Sequence, residues 1–148
     1  MSVTEEIVAA GMKRSQLLSA PVANWQGIEV TERPNVYVMR YAIHHIGNPF
    51  IRALHGGVVG SMMELSAELD LARIISEEDQ VSARVELVSS SINYLRVTKD
   101  VDLYARVDAI RIARRLAYLD VWCWQDDEAA PVSRGSCTLR IFRDEESR

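Results

Sequence analysis

The stretch Leu54-His55-Gly56-Gly57-Val58-Val59-Gly60-Ser61-Met62-Met63-Glu64-Leu65-Ser66-Ala67-Glu68-Leu69-Asp70-Leu71-Ala72-Arg73-Ile74-Ile75 decides the fold of this chain. It opens on a glycine pair and runs into the acidic stop Glu77-Glu78-Asp79, and between them lies the longest helix the sequence predicts. Val58, Val59, Met62, Met63, Leu65, Ala67, Leu69, Leu71, Ala72, Ile74 and Ile75 spread over most of its circumference. A helix apolar nearly all round is a buried one. Its polar exceptions Ser61, Glu64 and Glu68 are three and four residues apart, so they line a single narrow stripe.

Downstream of this helix the period changes to two. Segments 83–97, 101–112, 116–124 and 132–142 each read as a strand, most cleanly where Val101, Leu103, Ala105, Val107 and Ala109 alternate with Asp102, Tyr104, Arg106 and Asp108. The links between them are too short for helical crossovers, so the strands pair antiparallel. Upstream, segments 27–32 and 36–43 flank the turn Arg33-Pro34-Asn35 as a hairpin, and Gly47-Asn48-Pro49 breaks the second strand. Residues 1–26 read as a helical extension. Its helix over 4–18 has Thr4 as cap, Glu5 and Glu6 at the positive end, and Pro21 beyond its end. The order of elements predicts one α+β domain over residues 1–148, a curved antiparallel sheet wrapped around one long central helix.

Composition removes several function classes. With 148 residues, 48% of them hydrophobic, the chain has material for one real core, which argues against disorder. Seventeen basic against 21 acidic side chains leave a net charge of −4, the wrong sign for a nucleic-acid footprint. Cys123 and Cys137 have no metal-ligand spacing and are too few for a disulfide scaffold, so they read as core thiols. The three histidines form no zinc pattern, and no cofactor or metal is expected. No segment reaches the roughly 18 apolar residues of a membrane span. The N-terminus lacks the basic start and apolar core of a secretory signal, so a cytoplasmic location is expected.

At His55-Gly56-Gly57-Val58-Val59 the chain resembles the hotdog-fold acyl-CoA thioesterases, in particular the branch typified by phenylacetate-pathway enzymes. In that family a His-Gly-Gly turn opens the central helix and a carboxylate follows nine residues after the His; here that position is Glu64. Ile92-Asn93-Tyr94-Leu95-Arg96, Ile112-Ala113-Arg114-Arg115-Leu116-Ala117 and the segment from Ser133 to Phe142 resemble its later strand, its basic turn and its final strand. The resemblance covers residues 27–142. It implies an acyl-CoA thioesterase, with coenzyme A present only as part of the substrate, built as a homodimer or a dimer of dimers with shared sites. Two positions depart from the pattern. Pro49 stands where the family has Asn or Gln, with Asn48 one residue earlier, and Glu68 stands where a small hydroxyl residue is common.

The residues themselves point the same way. Gly56 and Gly57 at a helix start offer free N–H groups and the positive end of the dipole, without β-carbons to block a carbonyl. Gly56 is expected to form the oxyanion hole with Gly57 in support, a donor typically worth ~3–4 kcal/mol. Glu64 is the expected general base on water, or a nucleophile that forms an anhydride. Asn48 and His55 would orient the thioester. Met63 and Glu68 are candidates for the acyl pocket, although Met62 and Met63 read first as core. Ser91 is a further substrate candidate, set against a simple bulge. Arg96, Arg114 and Arg115 suit the phosphates of coenzyme A. Two other functions fit the same fold: a dehydratase or hydratase of hydroxyacyl thioesters, and a non-catalytic acyl-CoA-binding module.

Overall fold

A computed structural model describes residues 14–78 and 83–143. Two short helices, α1 (Arg14–Leu17) and α2 (Pro21–Gln26), lead into strands β1 (Ile28–Val30) and β2 (Val36–Met39). After a 3-10 turn at Ile43–His45 come β3 (Ile46–Asn48), β4 (Ala53–Leu54) and the long helix α3 (Gly56–Glu78). The chain then runs through β5 (Ala83–Tyr94), β6 (Leu103–Ile112), β7 (Leu116–Trp124) and β8 (Ser133–Arg143). Six strands form one sheet in the order β1-β2-β6-β7-β8-β5, every neighbouring pair antiparallel. Helix α3 packs against this sheet, so the expected α+β architecture is the one observed.

Alternation explains the sheet. Along β7, Ala117, Leu119, Val121 and Cys123 are buried, while Tyr118, Asp120 and Trp122 between them are more open. Along α3, Val58, Val59, Met62, Met63, Leu65, Ala67, Leu69, Leu71 and Ile75 are all buried. Burial on every side is what the sequence of this helix requires, because no single apolar stripe exists for a sheet to cover alone. Two acids of the helix, Glu68 and Asp70, go under with them. Asp70 is 1% exposed and accepts hydrogen bonds from the Tyr37 hydroxyl at 2.9 Å and from Arg73 Nε at 2.9 Å. Burial and the neighbouring Asp70 hold the Tyr37 phenol well above its usual pKa. Arg14 Nη1 donates to the same hydroxyl at 3.3 Å and ties α1 to β2.

Residues 4–13 of the expected first helix lie outside the described residues, and α1 carries only its end. Pro21 opens a second helix instead of merely following the first, because a proline at N1 gives up an N–H that has no helical partner anyway. The break at Gly47-Asn48-Pro49 sits in a small hairpin of its own, β3 with β4. Strand β5 contains a bulge. Its register on β8 shifts between Leu87 and Ser89, which leaves Val88 unpaired and exposed. One extra residue inverts the facing of all that follow. Val85 is buried before the bulge; after it, Ile92 reaches towards Gly60 of α3. This inversion decides which serine meets the helix.

Candidate active site

The start of α3 is built by its own sequence. His55 N–H donates to the His45 carbonyl at 2.8 Å, and the His55 carbonyl accepts from Val58 and Val59 at 2.9 and 3.1 Å. The His55 side chain turns back so that Nδ1 accepts the Gly57 N–H at 2.9 Å. Its ring proton is therefore assigned to Nε2, and His55 acts as a cap that fixes the loop. Gly57, expected as a second oxyanion donor, has thus spent its N–H inside the turn. Gly56 has not. Its N–H meets no acceptor among the described residues, while its carbonyl accepts from the Tyr94 hydroxyl at 2.8 Å. Tyr94 belongs to β5 and clamps the sheet edge to the helix start; its aromatic position was visible in the sequence, its role was not.

Glu64 lies two turns along α3, half-buried beneath β5. Ser90 Oγ donates to its Oε1 at 2.7 Å. Sequence reasoning chose Ser91, which the bulge turns to the other face. Ser90 is the serine at the carboxylate. Glu68 follows one turn later and is 7% exposed. Burial, reinforced by the negative charge of Glu64, pushes its carboxyl up to about 8. Both carboxylates, with Asp120, also act on the buried thiol of Cys137 in β8, although burial is the main cause of that thiol's rise to about 12. The Ser61–Glu64–Glu68 stripe therefore sinks from a partly open serine to a buried acid. The stripe is thus not an exposed edge along its whole length, since Glu68 is buried.

The remaining candidates separate. Asn48 is exposed and pairs with Ala53 across the β3–β4 hairpin, and its Oδ1 accepts the Phe50 N–H at 3.0 Å. Gly47, beside it, lies so close to His55 that a Cβ there would come 2.7 Å from the His55 Cα. Met63 is fully buried, and its sulfur accepts the Ser133 hydroxyl at 3.5 Å; it serves the core rather than an open pocket. Arg96 is exposed near the helix start, with Nη1 on the Pro131 carbonyl at 2.6 Å. Arg114 and Arg115 occupy the β6–β7 turn at the far end of the sheet, where the Arg115 carbonyl accepts Ile141 N–H. One protomer does not bring the three arginines to a common phosphate. Among the described residues no group of three His, Cys, Asp or Glu side chains is placed to hold a metal, and no helix is long and apolar enough to cross a membrane.

One supporting residue left no trace in the sequence. Gln26, at the end of α2, is buried, and its Nε2 donates to the Val58 carbonyl at 3.2 Å, fastening the first turn of α3 from behind.

No protein-family model matches this sequence, and no curated protein matches it either. Solved structures do match. A thioesterase family protein from Silicibacter pomeroyi superposes with a TM-score of 0.74 at 18% identity, covering 92% of this chain and 98% of that one. A thioesterase from Haemophilus influenzae gives 0.73 at 21% identity over 86% and 87% of the two chains. A conserved protein from Pseudomonas aeruginosa gives 0.72 at 18% identity over 86% and 98%. The chain has the hotdog fold. In hotdog terms α3 is the enclosed helix and the six-stranded sheet its wrapper. The free Gly56 amide marks the helix end where Phe50, Ile51, Tyr94, Leu95 and Val97 stand exposed.

Proposed function

We propose that this protein is a thioester hydrolase that cleaves an acyl-CoA to the free acid and coenzyme A, and that it works as a homodimer joined at its β5 edges. The observation that carries the reading is the Ser90–Glu64 pair at a sheet edge, on the same helix whose first amide is free. Ser90 holds one carboxylate oxygen and leaves Oε2 to act on water as a general base, or on the thioester directly. The Gly56 N–H, at the positive end of a 23-residue helix, suits the oxyanion that develops.

Within one protomer these two groups do not meet. Eight residues separate them, about 12 Å along the helix axis. A second copy removes the problem. Strand β5 pairs with β8 on one side and ends the sheet on the other, and a long edge strand of this kind invites pairing. Joining two β5 edges by a two-fold axis turns the partner end for end. Gly56 of one protomer is thereby directed towards Glu64 of its partner. The partner's Arg114–Arg115 turn comes to the end that carries Arg96, which assembles a basic patch suited to the coenzyme A phosphates.

The test uses two variants. Glu64→Gln removes the base. Gly56→Pro removes one N–H at a position where helices accept proline, and a Cβ there makes only ordinary contact, 3.6 Å from the Tyr94 hydroxyl. Each variant alone should fold and release no thiol from acyl-CoA. Mixed in equal amounts and reassociated, they should recover about a quarter of wild-type turnover, since half the dimers carry one intact site of two. Full activity of Glu64→Gln would remove Glu64 from the mechanism. No recovery on mixing would place both groups in one protomer and refute the divided site.

A further inference from the structure

Glu68 is a buried acid with nothing to hold it. Among the described residues no hydrogen-bond donor reaches its carboxylate, although Asp70, two residues on, has two partners. Buried polar groups of native proteins are normally paired, and an exception calls for a reason. Nor are its oxygens sealed into packed core, because no fully enclosed side-chain oxygen or nitrogen of the described residues lacks a partner. They keep a little exposure on the stripe of α3 that also carries Glu64.

Coenzyme A sets the direction in which an acyl chain would run. Its phosphates must stay near water, so the acyl chain takes the opposite, buried course from the reacting carbon. Along the Ser61–Glu64–Glu68 stripe, burial deepens towards Glu68, whose Cα lies about 6 Å beyond that of Glu64 along the axis. We propose that Glu68 lines the acyl subsite and hydrogen-bonds a hydroxyl group carried by the acyl chain, so that the enzyme selects hydroxyacyl thioesters over their unsubstituted counterparts. With its carboxyl pushed up to about 8, Glu68 is uncharged at neutral pH. A neutral carboxyl offers one donor and spare acceptor capacity, the complement of an alcohol. An unsubstituted chain leaves this group unpaired, and sites built to bond a substrate hydroxyl discriminate strongly against analogues that lack it. This assignment rests on the thioesterase reading above.

Two measurements separate the two claims. The first is thiol release from medium-length acyl-CoAs that carry a hydroxyl at successive carbons, against the unsubstituted parent. The second is calorimetric binding of the matching non-hydrolysable thioether analogues, which needs no turnover. Wild type should prefer one hydroxyl position at least tenfold in both. Glu68→Leu should lose that preference while still turning over the parent, and Glu68→Gln should keep part of it. Equal handling of all substrates by wild type, a preference that survives in Glu68→Leu, or a preference for an amine in place of the hydroxyl would each overturn the subsite. If the thioethers discriminate but no thioester is cleaved, the subsite stands and the hydrolase reading falls. Glu64-dependent hydrolysis without any hydroxyl preference gives the reverse.

Discussion

Glu68→Gln should change how stability depends on pH. In the unfolded chain the carboxyl titrates near 4.5, and in the folded protein near 8, with burial as the main cause and Glu64 as the second. Between those values the native state keeps a proton that the unfolded chain has lost. The folded pKa is raised, so the stabilisation is complete below about 4.5 and is lost as pH climbs through 8. Each pH unit inside the window costs about 1.4 kcal/mol, so the whole interval costs at most about 5 kcal/mol. Exposure of only 7% leaves little water to soften this. Glutamine has nearly the same shape and never ionises, so the variant escapes the cost. Urea unfolding of both proteins at one fixed concentration, in steps from pH 5 to pH 9, isolates the term, since other titrating groups cancel in the difference. The variant should gain on wild type steadily through the window, by a few kcal/mol in total, and the two curves should run parallel above it. Parallel curves throughout would show that Glu68 holds no proton at neutral pH. They would also withdraw the neutral donor on which the proposed subsite depends.

Gly47→Ala should cost about 1–3 kcal/mol of stability, because the new methyl group meets the His55 Cα at 2.7 Å and that neighbour is backbone. Thiol release should fall further than folding does, since His55 carries the Gly56 turn; unchanged activity would show that the β3 contact does not position the site. Cys123 and Cys137 are buried, and burial pushes each thiol up to about 12. Neither should take up iodoacetamide at pH 8 in the native protein, and both should in denaturant, as mass spectrometry would record; rapid native labelling would mean that the β7–β8 core opens.

Much of the architecture was legible because its signals are long. Helix α3 declares itself through more than twenty residues whose early polar exceptions form one narrow stripe, and β6 to β8 through sustained alternation. The candidate site was legible where it depends on position along that helix: Gly56 opens α3 and Glu64 falls two turns along it, as the sequence spacing requires. It was not legible where a single residue shifts a phase. The bulge at Val88 exchanges the roles of Ser90 and Ser91, and a run of three serines gives no hint of where the extra residue falls. Gln26 and Tyr94 act across long separations in sequence, through one hydrogen bond each, and a bond of that kind leaves no periodic trace. The β3–β4 hairpin is too short to show a period at all.

The proposed division of the site follows from the helix rather than from any property of the interface. A free amide exists only in the first turn, because every later N–H is taken by the carbonyl four residues back. The proposed acid lies deeper, where Ser90 holds it. In a straight helix those two demands force a separation of about 12 Å, and no adjustment of side chains within one protomer closes it. The same fold leaves β5 with an open edge at the level of the acid, and its C-terminal residue, Tyr94, grips the carbonyl of Gly56. The proposed pairing at that edge would therefore satisfy the backbone of the strand and complete the proposed catalytic geometry in one step. A monomeric form of this chain should accordingly retain its core and lack its chemistry.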